Sequence, residues 1–414
     1  MQPLLLLILV SYLLVHAVET VLTLMNLKHL SIHGGRVPAG FAETIDSGLL
    51  VKTRDYTLAT SRLDLVSSFV TAAVTLIFFF GGVLNSYNDL IRGMALGAVW
   101  SGVLFFLLLS FAPLLLNIPF SLYSTFHIEK KYGFNTQTMG LWFADMVKSL
   151  LLSVLLNGLL LLAVFWLIDR FSGMWWLLAW GVLFIFSIFL LYVSPYLIEP
   201  LFNKFTPIAD SALEEEIREL MQRAGIAVSR VFTMDASKRS RHSNAYFSGI
   251  GHVKRIVLFD TLLQGNGAKE ILAILAHETG HWKKKHILKK LAVMEVLALL
   301  GLYLIFLVTQ GNVLPTIFGV AQPAMPVKIL LAGFVGSIIW YPFQFIGNAV
   351  SRRQEIEADD FAAELTGDPR ALARSLVNLS RENLANLHPH PLYAAFHYSH
   401  PPLAERVARL QNMK

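Results

Sequence analysis

The feature that most constrains the fold of this chain is a series of long apolar stretches. Seven segments of about twenty mainly apolar residues occupy residues 3–26, 64–83, 94–116, 147–168, 174–195, 291–310 and 327–349. An α-helix of that length crosses the hydrocarbon core of a bilayer. Because 55% of all residues are hydrophobic and the mean hydropathy is +0.56, the sequence predicts a mainly α-helical integral membrane protein with seven transmembrane helices.

The charged loops predict the orientation of these helices. Basic residues accumulate in the loop after the first span, in residues 129–135, and in the segments that follow spans five and seven. Cytoplasmic loops are enriched in Lys and Arg, so these segments are expected on the cytoplasmic side of a bacterial inner membrane or of the endoplasmic reticulum. The net charge of +6 fits this bias, and the absence of an aromatic-interleaved basic patch argues against nucleic acid as a partner.

The hydropathy pattern divides the chain into four regions. Residues 1–202 contain spans one to five, residues 203–290 a mixed α/β block, residues 291–350 spans six and seven, and residues 351–414 a helical tail. Within the α/β block, residues 210–223 have helical charge spacing, and three strands are predicted at residues 228–234, 244–249 and 255–259, the last two as a hairpin. An edge strand of such a sheet can bind an extended peptide through its backbone.

A His-Glu-x-x-His motif lies on a predicted helix at residues 268–281. His277 and His281 are one helical turn apart on the same face, so both imidazoles can bind one zinc ion. Glu278 lies beside them and is expected to act as general base toward an attacking water, as in a zinc-dependent peptidase. His400 and Arg406 are candidates to stabilise the oxyanion that forms during peptide hydrolysis.

A catalytic zinc normally has three protein ligands, so a third ligand must come from elsewhere in the chain. A histidine six residues after His281 is excluded because Ile287 occupies that position, and the chain contains no cysteine. A later acidic helix offers Glu355, with Asp359 one turn further on to accept a hydrogen bond from a ligand histidine. Spacing alone leaves Glu357 as a competing ligand.

These motifs resemble those of the type I CAAX prenyl proteases, which are integral-membrane zinc endopeptidases, and the resemblance covers nearly the whole chain. It rests on the His-Glu-x-x-His motif together with residues 129–138, 195–205, 242–247, 254–263, 351–359 and 399–401. The resemblance implies a seven-helix barrel around a water-filled chamber, with a small α/β zinc-peptidase domain on the cytoplasmic side.

The resemblance also implies a role for each candidate residue and favours Glu355 over Glu357 as the third ligand. His277, His281 and Glu355 would bind one zinc ion, Glu278 would be the base, Asp359 would support a ligand, Asn244 and Tyr246 would belong to the substrate-binding edge strand, and His400 and Arg406 would lie near the substrate carbonyl.

Three functions compete. The leading hypothesis is a zinc endopeptidase that cleaves peptide bonds near the C-terminus of prenylated or otherwise membrane-associated substrates. A quality-control metalloprotease with no prenyl requirement would use the same mechanism. The bacterial heat-shock metalloproteases of related motif, which this alternative resembles, have fewer than seven spans. A transporter or channel explains the spans but not an intact zinc site with its base. The expected partners are a peptide or protein substrate and the lipid bilayer, and the sequence carries no signal for an oligomeric state.

Two further histidines have simpler interpretations. His286 lies five residues after His281, about 140° around a continuous helix, and is expected among the lysines of residues 283–290 at the lipid head groups. His242 is as consistent with a surface position at a strand end as with a functional one. A charged residue inside a span, such as Glu19, is expected to face the water of the chamber.

Overall fold

The computed structural model describes residues 3–38, 40–42, 44–248 and 254–413. In chain order the helices are α1 (Pro3–His33), α2 (Ser47–Phe80), α3 (Val83–Gly93), α4 (Gly97–Tyr123), α5 (Lys130–Tyr132), α6 (Met139–Arg170), α7 (Trp175–Val193), α8 (Glu199–Phe202), α9 (Ser211–Arg223), α10 (Asp260–Gly265), α11 (Ala268–Lys283), α12 (His286–Thr309), α13 (Val313–Ile317), α14 (Met325–Trp340), α15 (Gln344–Thr366), α16 (Pro369–Glu382), α17 (Pro391–His397) and α18 (Leu403–Gln411). The strands are β1 (Phe205–Pro207), β2 (Val228–Met234), β3 (Ala245–Ser248) and β4 (Lys254–Phe259).

Seven helical segments in the described part of the chain are long and apolar enough to cross a membrane, which confirms the predicted number. They are Pro3–His33, Ser47–Phe80, Gly97–Tyr132, Met139–Arg170, Trp175–Phe202, His286–Thr309 and Met325–Thr366. Each is longer than its apolar stretch, because polar residues continue the helix beyond the hydrocarbon region. The second span, for example, begins at Ser47, where Asp46 Oδ1 accepts a hydrogen bond of 2.7 Å from Leu49 N.

The spanning helices form a closed ring. The contacts run from α1 to α2, α4, α6, α7, α12 and α14, and α14 returns to contact α1. A ring of seven helices at the usual interaxial distances of about 8–10 Å is wide enough to enclose a central space, and α14 also contacts α4. This ring is the barrel around a chamber that the family resemblance implied. One end is closed by an apolar cluster formed by α3, α4, α13 and α14.

The α/β block lies at the other end of the barrel and contains a four-stranded sheet in the order β1-β2-β4-β3. Strands β2 and β4 are parallel, and the other two pairs are antiparallel. The three predicted strands and the antiparallel pairing of the last two are confirmed, and the connection between them lies outside the described residues. The sequence missed β1, whose three residues are too few to show a pattern. Strand β3 forms one edge of the sheet and contacts α11.

Two of the domain boundaries expected from hydropathy fall inside helices. The boundary at residues 290/291 lies within α12, and the boundary at 350/351 lies within α15. The seventh span therefore continues without interruption into the acidic segment that carries Glu355, and α15 ends at Thr366, where Gly367 adopts φ +66°. The division into domains stays a proposal, and membrane and peptidase parts share these two helices.

Candidate active site

The motif helix α11 is held by the core of the α/β block. It begins after Gly267, and the side chains of Ala273, Leu275 and Ala276 are completely buried against the sheet and the surrounding helices. This apolar face fixes the rotation of the helix. As a consequence, the motif histidines on the neighbouring face are directed toward α15, which α11 contacts along its length.

Gly280 allows α11 and α15 to approach closely. A Cβ atom at this position would lie 2.9 Å from Ala358 Cα and 3.1 Å from the Ala358 carbonyl oxygen, which is closer than such atoms can pack. Glycine in a helix interior costs about 1 kcal/mol relative to alanine, so its presence between His277 and His281 has a packing reason. The missing side chain brings the motif histidines within reach of Glu355.

The three expected metal ligands converge. His277 Nε2 lies 3.2 Å from His281 Nε2 and 3.4 Å from Glu355 Oε2, and His281 Nε2 lies 3.2 Å from Glu355 Oε1. Ligands held at metal distances of about 2.0–2.1 Å in a tetrahedron are separated by about 3.3 Å. Among the described residues, these three form the one group of His, Asp and Glu side chains whose ligand atoms come together closely enough to hold a metal ion.

The surroundings of this group favour a bound cation. Glu355 Oε2 is buried and has no hydrogen-bond partner among the described residues. Burial alone would lower the pKa of His277, but its contacts with Asp359 and Glu355 raise that pKa to about 9. The pocket thus stabilises positive charge between two histidines and two carboxylates, which fits a divalent metal.

Asp359 and Arg406 support the ligands from behind. Asp359 Oδ1 lies 2.8 Å from His277 Nδ1, so the carboxylate holds the nitrogen that faces away from Glu355. Arg406 donates two hydrogen bonds to Asp359, of 2.9 and 2.6 Å, and its Nη1 lies 3.4 Å from Glu355 Oε2. Arg406 is buried, and its guanidinium group contacts these two carboxylates.

The interpretation of His286 as a residue among lipid head groups is wrong. The helix does not continue through this region: Lys285 adopts φ +58° and separates α11 from α12. The turn brings His286 back against the motif, with its Nδ1 atom 3.1 Å from His281 Nδ1, and the residue is only 3% exposed. Its other nitrogen lies 3.2 Å from Glu357 Oε2. Glu357 therefore contacts His286, and it is not part of the ligand group.

Glu278 and His400 are the polar groups that remain available at the centre. Glu278 has no hydrogen bond or ion pair with the described residues, and burial raises its pKa, opposed by the nearby His277 and His281. A raised pKa suits a carboxylate that must accept a proton near neutrality. The His400 side chain is 61% exposed, and its Nε2 lies 3.2 Å from Glu355 Oε1, so this imidazole is accessible beside the ligands.

The two residues expected on the edge strand have different surroundings. Asn244 precedes β3 and is exposed, and its side-chain nitrogen makes no hydrogen bond to the described residues. Tyr246 lies within β3, but its hydroxyl donates a hydrogen bond of 2.8 Å to Glu199 in α8. The Tyr246 hydroxyl therefore connects the strand to α8.

Sequence reasoning missed two connections between the membrane helices and the site. His242, just before β3, lies 3.2 Å from Glu129 and 2.9 Å from Asn383 and stacks on Phe134. Arg352, one turn before Glu355, donates to the three carbonyl oxygens at the end of α17, at 3.3, 3.0 and 2.6 Å, and thereby holds the segment that carries His400. Both residues lie within the motifs quoted for the resemblance, which is the signal that could have found them.

Seven spanning helices, a His-His-Glu group and an adjacent free carboxylate together define an integral-membrane metallopeptidase. The comparisons with known proteins agree. A family model described as the CAAX prenyl protease N-terminal region with five membrane helices matches residues 26–204, and the model of peptidase family M48 matches residues 207–414. The chain belongs to peptidase family M48 and, within it, to the CAAX prenyl proteases.

Individual relatives match over almost the full chain. CAAX prenyl protease 1 of Saccharomyces cerevisiae is 33% identical and aligns with 95% of this chain and 92% of its own length. The CAAX prenyl protease 1 homolog of Arabidopsis thaliana is 35% identical, with 94% and 93% covered. The crystal structure of S. mikatae Ste24p superposes with a TM-score of 0.92 at 32% identity and covers 99% of both chains. The chain is thus a membrane-embedded protease, and a transporter or channel has no support.

Proposed function

We propose that this protein is a zinc endopeptidase that cleaves peptide bonds near the C-terminus of prenylated, CAAX-type substrates. The observation that carries the proposal is the convergence of His277, His281 and Glu355 within 3.2–3.4 Å beside the free carboxylate of Glu278. Two imidazoles and one carboxylate are the ligand set of known catalytic zinc sites. A bound zinc ion at this position would lower the pKa of water and polarise the substrate carbonyl.

The protein residues then divide the proton transfers and charge stabilisation between them. Glu278 accepts the proton of the attacking water and returns it to the leaving amine, for which its raised pKa is suited. His400, exposed beside Glu355, donates a hydrogen bond to the oxyanion of the tetrahedral intermediate. Arg406 keeps Asp359 and Glu355 in place, so we assign it a positioning role.

The sheet edge provides the binding surface for the peptide. Strand β3 pairs with β4 on one side only and contacts the motif helix, so an extended substrate can add to its other side through backbone hydrogen bonds. The side-chain nitrogen of Asn244, which makes no hydrogen bond to the described residues, lies at the start of that edge and can donate to the substrate backbone. The chamber inside the helical ring gives a lipidated chain end access to this edge from within the membrane part. The lysines that flank the motif helix favour a site on the cytoplasmic side.

Cleavage of paired peptides tests the substrate class. A farnesylated CAAX-type peptide and its unmodified twin would be incubated with detergent-purified protein, and kcat/KM would be measured for each. We expect cleavage of the farnesylated peptide with a clear preference over its twin, and loss of cleavage of both in Glu278→Gln. Equal kcat/KM for the two peptides would instead favour a quality-control protease with no prenyl requirement, because backbone pairing alone places little demand on the substrate.

A further inference from the structure

A second pair of residues lies behind the metal ligand His281. On the His277 side, the support is Asp359, in agreement with the helix spacing. On the His281 side, the nitrogen that faces away from Glu355 lies 3.1 Å from His286 Nδ1, and His286 Nε2 lies 3.2 Å from Glu357 Oε2. His286 is 3% exposed, so its ring is shielded from water, whereas the side chain of Glu357 is 38% exposed.

If His281 binds a metal, its ligand role determines which ring nitrogens of His281 and His286 carry protons. An imidazole that binds a metal through Nε2 carries its proton on Nδ1, which must donate. His286 Nδ1 is then the acceptor, and His286 carries its own proton on Nε2, which donates to the carboxylate of Glu357. Arg353, which is exposed, forms a surface ion pair with the other carboxylate oxygen of Glu357, with its Nε 3.4 Å from Oε1. Each donor in the chain from His281 through His286 to Glu357 therefore faces an acceptor.

The backbone is strained where this arrangement requires it. Lys285 is one of three residues other than glycine in the described part of the chain with positive φ, a conformation that is sterically unfavourable for an L-residue with a side chain. Without this turn the helix would continue, and His286 would point about 140° away from His281. The turn also makes His286 the first residue of α12, the sixth span.

We propose that His286, held by Glu357, is a positioning residue that fixes the tautomer and the ring orientation of the ligand His281 and thereby raises metal affinity. The inference rests on the proposed zinc site. It adds to that site a hydrogen-bonded chain from Glu357 through His286 to His281. His286 belongs to the sixth span, and Glu357 to α15. The contact of His281 with His286 plays the part that Asp359 plays for His277, with a neutral acceptor in place of a carboxylate.

The test compares two substitutions whose side chains have the same branched shape and the same number of heavy atoms. His286→Asn keeps an acceptor oxygen where His286 Nδ1 lies, whereas His286→Leu removes it. The apparent dissociation constant for Zn²⁺ would be measured on the detergent-purified full chain by competition with a chromogenic chelator. We expect His286→Leu to weaken binding by about 10–100-fold, His286→Asn to stay within about threefold of the parent, and Glu357→Gln to lie between them.

Two controls separate the possible failures. Lys285→Gly keeps the turn and removes its strain, so zinc affinity should be unchanged. His277→Ala removes a proposed ligand, and retention of zinc by this variant would overturn the metal site itself. If His277→Ala loses zinc but His286→Leu binds it as tightly as the parent, the positioning role is refuted while the proposed function stands. Equal losses in His286→Asn and His286→Leu, with a lowered melting temperature of the metal-free protein, would show that His286 acts only through packing.

Discussion

The close approach at Gly280 gives the sharpest prediction about the metal site. In Gly280→Ala the new Cβ would lie 2.9 Å from Ala358 Cα and 3.2 Å from Phe361 Cβ. Carbon atoms pack at about 3.5 Å or more, so α11 and α15 must separate by about 0.6 Å. Metal ligands tolerate errors of about 0.2 Å, so we expect zinc affinity to fall by at least about tenfold.

The effect on folding should be small by comparison. Overpacking costs about 1–3 kcal/mol, and replacing glycine by alanine inside a helix returns about 1 kcal/mol, so the free energy of unfolding should fall by about 0–2 kcal/mol. Gly347→Ala is the matched control, because Gly347 lies within α15, the helix that Gly280 packs against, and a Cβ there meets nothing within 4 Å. Zinc affinity would be measured by chelator competition for both variants. If Gly280→Ala binds zinc as tightly as Gly347→Ala, the argument from helix separation is wrong.

Three further predictions concern the surroundings of the site. Arg352→Ala removes the hydrogen bonds at the end of α17 and frees the segment that carries His400, so kcat should fall by about tenfold while zinc content stays constant, as measured by single-turnover cleavage and metal analysis. For His242, burial alone would lower the pKa, but hydrogen bonds to Glu129 and Asn383 raise it. When the pKa of a histidine is higher in the folded state, its stabilising effect is fully present below the pKa of the unfolded state and is lost as the pH rises through the pKa of the folded state. The difference in melting temperature between the parent and His242→Gln should therefore shrink with increasing pH. A difference that stays constant with pH would contradict this. Removal of the metal with a chelator should lower the melting temperature, because binding at 100 times Kd stabilises the folded state by about 2.7 kcal/mol.

Much of the fold could be predicted because it depends on local patterns. The seven apolar stretches have the length that a bilayer requires, and short runs rich in β-branched and aromatic residues indicate the strands, so the sequence predicts both. The true helix ends were not found, because a polar helix that leaves the membrane has no hydropathy signal. The closure of the ring, from α14 back to α1, depends on contacts between segments far apart in the chain.

For the site, too, the sequence predicts what depends on local spacing and not what depends on packing between distant helices. His277, Glu278 and His281 lie within five residues on one helix, so spacing alone indicated their chemistry. Helix geometry could not distinguish Glu355 from Glu357, because both lie on the same acidic helix and the choice depends on how α15 packs against α11. That packing is set by Gly280, whose role is visible only when the Ala358 backbone is seen beside it.

The error at His286 has a similar origin. Composition favours a continuous helix here, since residues 283–285 contain no glycine, asparagine or proline to end it. A lysine with positive φ is rare, and the contact of His286 with His281 stabilises the turn that Lys285 makes. Helix geometry alone therefore predicts the wrong direction for the His286 side chain, because tertiary contacts determine where it lies.

Zinc content measured together with peptide cleavage tests the central claim most directly. Parent protein, Glu278→Gln and Glu355→Gln would be purified in detergent, analysed for metal, and assayed on the same farnesylated peptide. The account predicts about one zinc per chain in the parent and in Glu278→Gln, cleavage by the parent alone, and loss of zinc from Glu355→Gln. Full cleavage by Glu278→Gln, or a full complement of zinc in Glu355→Gln, would contradict it.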